Sequence, residues 1–422
     1  MTAGAPGHWA GHPLLDTVAS LWPTARVSIA PGRRGPGAKE LIYVPNSDDP
    51  RLLVPAGHRR ASAAALLRFN HYLPIRDRLR RMAAAGGLRM GAERLLAHRI
   101  AVVESDVAPD SIETYLSEVL GQEVVVSLGI GLSRASQKPV LQAFHPSGGC
   151  LAFVKIGDSG PTRDLVGKEA DALRLISRVR WSLMSVPKLI HVGSWHSFEV
   201  LVMSPLPVRA RPAFRRPVPV PPAKAMRELA RAFAKGNQLV ATSGLISRLR
   251  ASVPRTADEA TATTYSDALD LIQARYPHAV LDYAAWHGDW SPWNMAWRRR
   301  RVQLWDWERF ETGVPVGMDR LHYVLSALAR TEGFTAPTIV RALALPTARE
   351  YVRPTQQDVL ALVYLATIVN RYLTGSHHGN ASPVQARAAA ALEALSWLSR
   401  KPGALHTSGS GPGPTDQVGK GD

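Results

Sequence analysis

Three polar side chains between Trp286 and Glu308 stand at spacings that suit one kind of reaction. The stretch reads W-H-G-D-W-S-P-W-N, a short basic interval, then V-Q-L-W-D-W-E. Asp289 is followed by Asn294 five residues on and by Asp306 a further twelve on. One carboxylate able to accept a proton, facing an Asn/Asp pair able to hold a hard divalent cation, is an arrangement for phosphoryl transfer. The neighbouring residues say how the three are placed. Gly288 and Pro292 break regular structure, so Asp289 is expected on a loop. Asn294-Met-Ala-Trp opens a short strand, Arg298 to Arg301 make a charged turn, and Val302 to Asp306 alternate as a returning strand. Such a hairpin brings Asp306 back beside Asn294, opposite Asp289.

The pattern H-G-D-x-x-x-x-N, followed by an apolar strand ending in D-W-E, resembles the aminoglycoside phosphotransferase and choline kinase group of small-molecule kinases. The resemblance covers about residues 123–400. It implies an α+β, two-lobed, protein-kinase-like fold with a small antiparallel β-sheet N-lobe and a mainly helical C-lobe. It implies ATP or GTP as phosphate donor and Mg²⁺ held by Asn294 and Asp306. Asp289 would then accept or orient the proton of an acceptor hydroxyl. His287 occupies a position that the resembled group uses to hold the loop, and Asp319 matches an Asp that buttresses it. Glu308 reads as indirect support for the metal or as a bracing residue. Trp293 reads equally as core packing or as a ring stacked on a sugar or a cationic substrate.

A nucleotide half is expected upstream. Glu123-Val-Val-Val-Ser-Leu-Gly-Ile-Gly is a β-branched strand ending on Gly129 and Gly131. A strand–glycine turn–strand unit can lay backbone N–H groups over phosphates, although an ordinary hairpin turn has the same composition. Leu151-Ala-Phe-Val-Lys-Ile-Gly sets Lys155 among apolar residues, where an ammonium is costly unless it meets an anion. Glu169 follows fourteen residues later on a helical run. By resemblance the two pair, and Lys155 contacts the α and β phosphates. The strand Phe198–Met203 stands where the resembled group has its interlobe hinge, which assigns the adenine edge to backbone groups of Met203, Ser204 and Leu206.

Departures from the pattern narrow the reading. The glycine turn is an abbreviated G-x-G, and Asp306-Trp-Glu stands where a protein kinase has D-F-G; both argue against a protein kinase. The acceptor stays open among a sugar, an aminoglycoside-like molecule and another metabolite. A basic chain disfavours a polycationic acceptor, which wants an acidic pocket.

The 422 residues are 45% hydrophobic and 20% charged, as in an ordinary globular protein. No apolar run is long enough to span a bilayer, and the start of the chain lacks a signal-peptide pattern. Cys150 is the single cysteine, so no internal disulfide forms and a cytoplasmic location is expected. The net charge of +17 is spread along the chain without an aromatic-interleaved basic stripe, which disfavours nucleic acid as a partner. The expected organisation is an accessory α/β segment over 1–105, a nucleotide-binding N-lobe over 106–207, a helical C-lobe with the catalytic loop over 208–401, and a disordered tail over 402–422. Within it residues 40–44 and 51–55 read as short strands and 91–98 as a helix, and Asp110 with Glu113 three residues on reads as the N-cap of a helix that closes on Gly121. Two alternatives to a kinase remain: a catalytically silent kinase-like binding scaffold, and a basic nucleic-acid-binding protein. The residues do not address oligomeric state.

Overall fold

The computed structural model describes residues 13–31, 39–45, 51–68, 75–96, 98–104, 110–129, 139–207, 220–252, 258–350, 352–375, 382–401 and 403–406. The fold is α+β. The chain divides into two compact units, one comprising Met1–Ser133, Gln137–Ala170 and Pro187–Ala213, the other Arg134–Ser136, Asp171–Val186 and Phe214–Asp422. Among the described residues no helix is long and apolar enough to cross a membrane.

The first unit is organised by one sheet. In chain order it contains α1 (Pro13–Leu21), β1 (Arg26–Pro31), β2 (Lys39–Val44), β3 (Leu52–Pro55), α2 (Arg59–Arg68), α3 (Ile75–Arg89), β4 (His98–Val103), α4 (Ile112–Leu120), β5 (Val125–Gly129), β6 (Val140–Phe144), β7 (Cys150–Gly157) and the start of α5 (Gly160–Ile176). After β8 (Met184–Ser185), which belongs to the second unit, come β9 (Leu189–Trp195) and β10 (Phe198–Met203). Nine of these strands pair in the order β1-β4-β2-β3-β5-β6-β7-β10-β9, every pair antiparallel.

The sheet corrects the expected boundary at residue 105. Leu52 and Leu53 of β3 pair with Gly129 and Leu128 of β5, so the first hundred residues extend the same sheet and share its unit. The sheet is correspondingly larger than the small one anticipated. Side chains alternate across it, and both faces are covered. Leu41, Tyr43, Leu53, Ile100, Val126 and Val154 pack on one face with α1 and α4. Ile42, Leu52, Val54 and Val125 pack on the other with α2 and α3. Burying each such side chain contributes about 1.5–3 kcal/mol. Charge ties the two stretches as well: Lys39 on β2 pairs with Glu113 on α4, whose carboxylate also accepts the Val126 N–H at 2.8 Å. The α4 cap is Ser111, whose hydroxyl accepts the Thr114 N–H, rather than the anticipated Asp110, which meets His196 at 2.7 Å. The helix anticipated over 91–98 is a single 3₁₀ turn followed by β4.

The second unit is mostly helical. It contains α6 (Ala223–Ala232), β11 (Gly236–Leu239), α7 (Leu245–Ser252), α8 (Glu259–Arg275), β12 (Val280–Trp286), β13 (Met295–Arg298), β14 (Arg301–Leu304), β15 (Glu311–Pro315), α9 (Met318–Glu332), α10 (Ala336–Ala344), α11 (Pro346–Arg349), α12 (Pro354–Gly375) and α13 (Ser382–Arg400). Two three-stranded sheets, β11-β12-β15 and β13-β14-β8, frame the loop that carries Asp289. The core gathers α8, α9, α10, α12 and α13. Val359–Val369 of α12 is buried on every face, as expected of a central helix. The anticipated tail from 402 lies outside the described residues at 402 and from 407 on; 403–406 form a turn that buries Leu405.

Candidate active site

In the first unit, β7 carries Lys155 between apolar neighbours that point into the core, and α5 presents Glu169 one helical segment later. Lys155 Nζ lies 2.5 Å from Glu169 Oε2, and the Glu169 side chain is fully buried. The pairing expected from fourteen-residue spacing is therefore formed. A buried carboxylate is tolerated because it meets a cation, and the ammonium is held in one direction instead of swinging on its stem. Gly129 ends β5 buried, opposite Val140. Gly131 lies outside the described residues. Met203 closes β10, buried. Two groups expected to face an adenine are engaged within the chain: the Ser204 N–H donates to Lys188 O at 2.8 Å, and Leu206 O accepts from Arg68 at 3.3 Å.

In the second unit, β12 delivers Trp286, buried, to the loop, and the loop ends at Asn294 where β13 begins. Gly288 makes the turn possible. Its φ is 81°, and a Cβ there would stand 2.1 Å from the Arg309 carbonyl oxygen, so only glycine fits. Three backbone groups of this turn are met from distant helices. Asp319, in the first turn of α9, accepts the His287 N–H at 2.8 Å and the Gly288 N–H at 3.1 Å. Arg371 of α12 donates to Gly288 O at 2.6 Å and sits 5.0 Å above the Trp286 ring. Asp319 thus has the buttressing position expected of it. Burial pushes its carboxyl up to about 7, against the two N–H donors and Arg371.

His287 is fully buried, and both ring nitrogens are engaged. Nδ1 accepts the Asp289 N–H at 3.2 Å, which leaves Nε2–H to donate to Trp305 O at 3.1 Å. Burial pulls its pKa down to about 4 although Asp289 and Asp306 oppose it, so the ring is neutral at pH 7. It holds the loop and has no nitrogen left to act as a base.

Asp289 is the group the loop displays. Its Oδ2 accepts from Asn294 Nδ2 at 2.9 Å, its carbonyl oxygen accepts from the same amide at 3.0 Å, and its Oδ1 lies 3.0 Å from His322 Nε2. The side chain keeps 34% exposure. Burial pushes the carboxyl up, but the hydrogen bond from His322 and the charge of Arg371 oppose it, and the pKa stands below the ordinary value. Asp289 is ionised at neutral pH.

The hairpin returns as anticipated. Met295 pairs with Leu304, and the Trp305 N–H donates to Asn294 O at 3.2 Å, which sets Asp306 one residue beyond Asn294's partner. Asp306 adopts φ 71°, a left-handed conformation that Asp tolerates better than most residues and that is held where function needs a fixed direction. An oxygen of Asp306 and one of Glu308 lie within 4.8 Å of each other. Because the Asn294 amide nitrogen is committed to Asp289, its side-chain oxygen remains the acceptor. The donor set is all oxygen, which fits a hard divalent cation. Glu308 also lies 3.8 Å from Arg309. Trp293 is half-buried with the Arg330 guanidinium 5.3 Å from its ring, so one cation already belongs to that ring. Trp290 is fully buried and donates to Met295 Sδ.

Three residues that hold this loop were not singled out from the sequence: His322, Tyr364 and Arg371. His322 lies three residues after Asp319 on α9, and Tyr364 and Arg371 lie seven apart on α12, spacings that put each pair on one helix face. The signal available was a histidine and an arginine inside otherwise apolar helical runs, which need partners when buried.

No family model matches the chain, and no curated protein matches it. Among solved structures, aminoglycoside phosphotransferase APH(4)-Ia aligns at TM-score 0.45 and 12% identity, covering 68% of this chain and 97% of that one. The GDP and kanamycin complex of an APH(2″) enzyme aligns at 0.42 and 14%, covering 68% and 98%. An amicoumacin kinase in complex with AMP-PNP and Ca²⁺ aligns at 0.37 and 10%, covering 64% and 87%. Likenesses at these values add nothing to the chemistry, which rests on the side chains themselves.

Proposed function

We propose that this chain is a nucleotide-dependent phosphotransferase that moves the γ-phosphate of ATP or GTP to a hydroxyl of a small molecule. The observation that carries the reading is Asp289: ionised, partly exposed and held by a hydrogen bond on each carboxylate oxygen, beside an all-oxygen donor set. Ionisation lets it accept or orient the hydroxyl proton, a contribution of roughly 10²- to 10⁴-fold. Fixing its direction before the substrate arrives supplies the positioning on which phosphoryl transfer depends. Asn294 and Asp306 would hold Mg²⁺, which when bound neutralises charge on the phosphates. Lys155, steadied by Glu169, would contact the α and β phosphates as a charge-assisted donor. His287 keeps the loop dry and closed by taking the Asp289 N–H and giving its own to Trp305. A sugar, an aminoglycoside-like molecule or another hydroxyl-bearing metabolite is the acceptor class, met from a cytoplasmic pool.

The experiment is thermal stabilisation by ATP and GTP, with and without Mg²⁺, on the intact chain and on Asp306→Ala. A Mg²⁺-dependent shift that disappears in the variant is expected. Absence of a shift with either nucleotide overturns the kinase reading and leaves a silent scaffold. An Asp289→Asn variant that binds nucleotide normally but turns over roughly 10²- to 10⁴-fold more slowly would complete the assignment.

A further inference from the structure

His322 is an unusual residue to bury: its side chain is 9% exposed, in a helix face otherwise packed into the core. Both of its ring nitrogens are engaged. Nε2 lies 3.0 Å from Asp289 Oδ1, and Nδ1 lies 3.1 Å from the Tyr364 hydroxyl. The chemistry of the partners settles which atoms carry hydrogen. An ionised carboxylate only accepts, so Nε2 must be the N–H that donates to Asp289. Nδ1 meets the Tyr364 hydroxyl, so the ring is held at both nitrogens. That phenol is fully buried, and burial pushes its pKa well above the ordinary value, so it keeps its hydrogen. A chain of hydrogen bonds runs Tyr364 to His322 to Asp289.

Asp319 and His322 stand three apart on α9, so the helix that fixes the backbone of the loop also fixes the side chain the loop displays. The two Asp289 oxygens are served differently. Oδ2 faces Asn294, a residue assigned to the metal, while Oδ1 faces a ring whose two nitrogens meet Asp289 and Tyr364. A histidine kept only to fill space does not need both ring nitrogens held by polar partners.

We propose that His322 is a positioning residue for phosphoryl transfer. Braced by Tyr364 at Nδ1 and donating from Nε2–H, it aims the Asp289 carboxylate so that the remaining lone pairs meet the acceptor hydroxyl. This rests on the phosphotransferase reading of the same loop. His322 acts through Asp289 and moves no proton itself, so its removal lowers turnover without loosening the nucleotide.

The test uses the full chain with Mg-ATP, water serving as acceptor in a phosphate-release assay. Three variants are compared: His322→Leu, His322→Gln, which offers an amide N–H near the Nε2 position, and Tyr364→Phe. Calorimetric Mg-ATP affinity, melting temperature and ¹⁵N shifts of the imidazole are read alongside turnover. His322→Leu is expected to turn over roughly 10- to 100-fold more slowly, with affinity changed by no more than about twofold. His322→Gln is expected to recover most of the loss, and Tyr364→Phe to lose about 2- to 10-fold. The native imidazole should show Nε2 protonated, with the Nδ1 shift altered in Tyr364→Phe.

Turnover of His322→Leu within about twofold of native overturns the proposal. So does parallel loss of affinity, melting temperature and turnover without recovery in His322→Gln, which is the signature of packing alone. A native imidazole with no hydrogen on Nε2 overturns it by a readout that does not need activity, and decides the case if the native chain binds Mg-ATP without hydrolysing it. A native chain that does not bind Mg-ATP overturns the phosphotransferase reading instead, a distinguishable failure.

Discussion

Lys155 and Glu169 lie fourteen residues apart, on a strand and the helix that follows it, and meet within one compact unit. Asp289 is held by partners from much farther along the chain: His322 thirty-three residues on, and Arg371 eighty-three residues from the Gly288 carbonyl it holds. In the first case a strand side chain has few directions to take, and a buried ion pair removes the rest. A loop has no ladder of its own, so each backbone group at 287 and 288 needs a donor or acceptor brought to it. The sheet unit encodes its chemical group locally, while the helical unit assembles one from two helices.

The largest effect should come from breaking the loop. Gly288→Ala places a Cβ against the Arg309 carbonyl and forces a left-handed φ on alanine. We expect a loss of roughly 4 kcal/mol or more in a denaturant titration, since strain and overlap add. A loss under about 1 kcal/mol would show that the loop relaxes freely and would erase the contrast with the sheet unit.

Lys155→Met should come next. It removes the cation beside the fully buried Glu169 carboxylate, at about 3 kcal/mol of stability and with weaker nucleotide binding. Lys155→Met combined with Glu169→Gln should regain part of that stability but not the binding, which separates the structural role from the proposed ligand role. Equal recovery of both would refute the phosphate contact.

The pH dependence of the loop should show two opposed slopes. His287 titrates near 4 in the fold against 6.5 when unfolded, so between those values the unfolded chain binds more protons and stability rises with pH. Asp319 titrates near 7 in the fold against 3.8 when unfolded, so the folded chain keeps the extra proton and stability falls as pH rises from about 4 to about 7. Each slope reaches at most about 1.4 kcal/mol per pH unit, and in the native chain they offset each other. Asp319→Asn should expose the rising slope and His287→Asn the falling one, read as stability at a series of pH values. Slopes of the same sign in both variants would contradict this account of the loop.

The smallest effect belongs to Trp293. Arg330→Ala should lower stability by about 0.5–1 kcal/mol and shift tryptophan emission as the ring face opens to water. A much larger loss would mean that Arg330 braces more than one ring.

The residues of the loop were legible because their chemistry is written at short range. Gly288 and Pro292 demanded a loop, the basic turn at 298–301 demanded a hairpin, and β13 and β14 return Asp306 toward Asn294 as that pattern requires. The strands at 39–44 and 52–55 were readable for the same reason: alternation of apolar residues is a local signal. Their membership of one sheet with β5 was not, since strand pairing joins segments separated by more than seventy residues and leaves no mark in either. The Asp110 cap was misplaced by one residue because Asp and Ser both cap helices and only the observed backbone chooses between them.

Local spacing determined the kind of chemistry here: a loop carboxylate, an oxygen donor pair and a strand lysine with its helix glutamate. What only the tertiary structure decided is how the carboxylate is aimed. His322, Tyr364 and Arg371 read in sequence as helix residues with no assigned task. They become the setting of Asp289 because α9 and α12 pack together, and that packing follows from buried surface summed over the apolar side chains of both helices rather than from any motif.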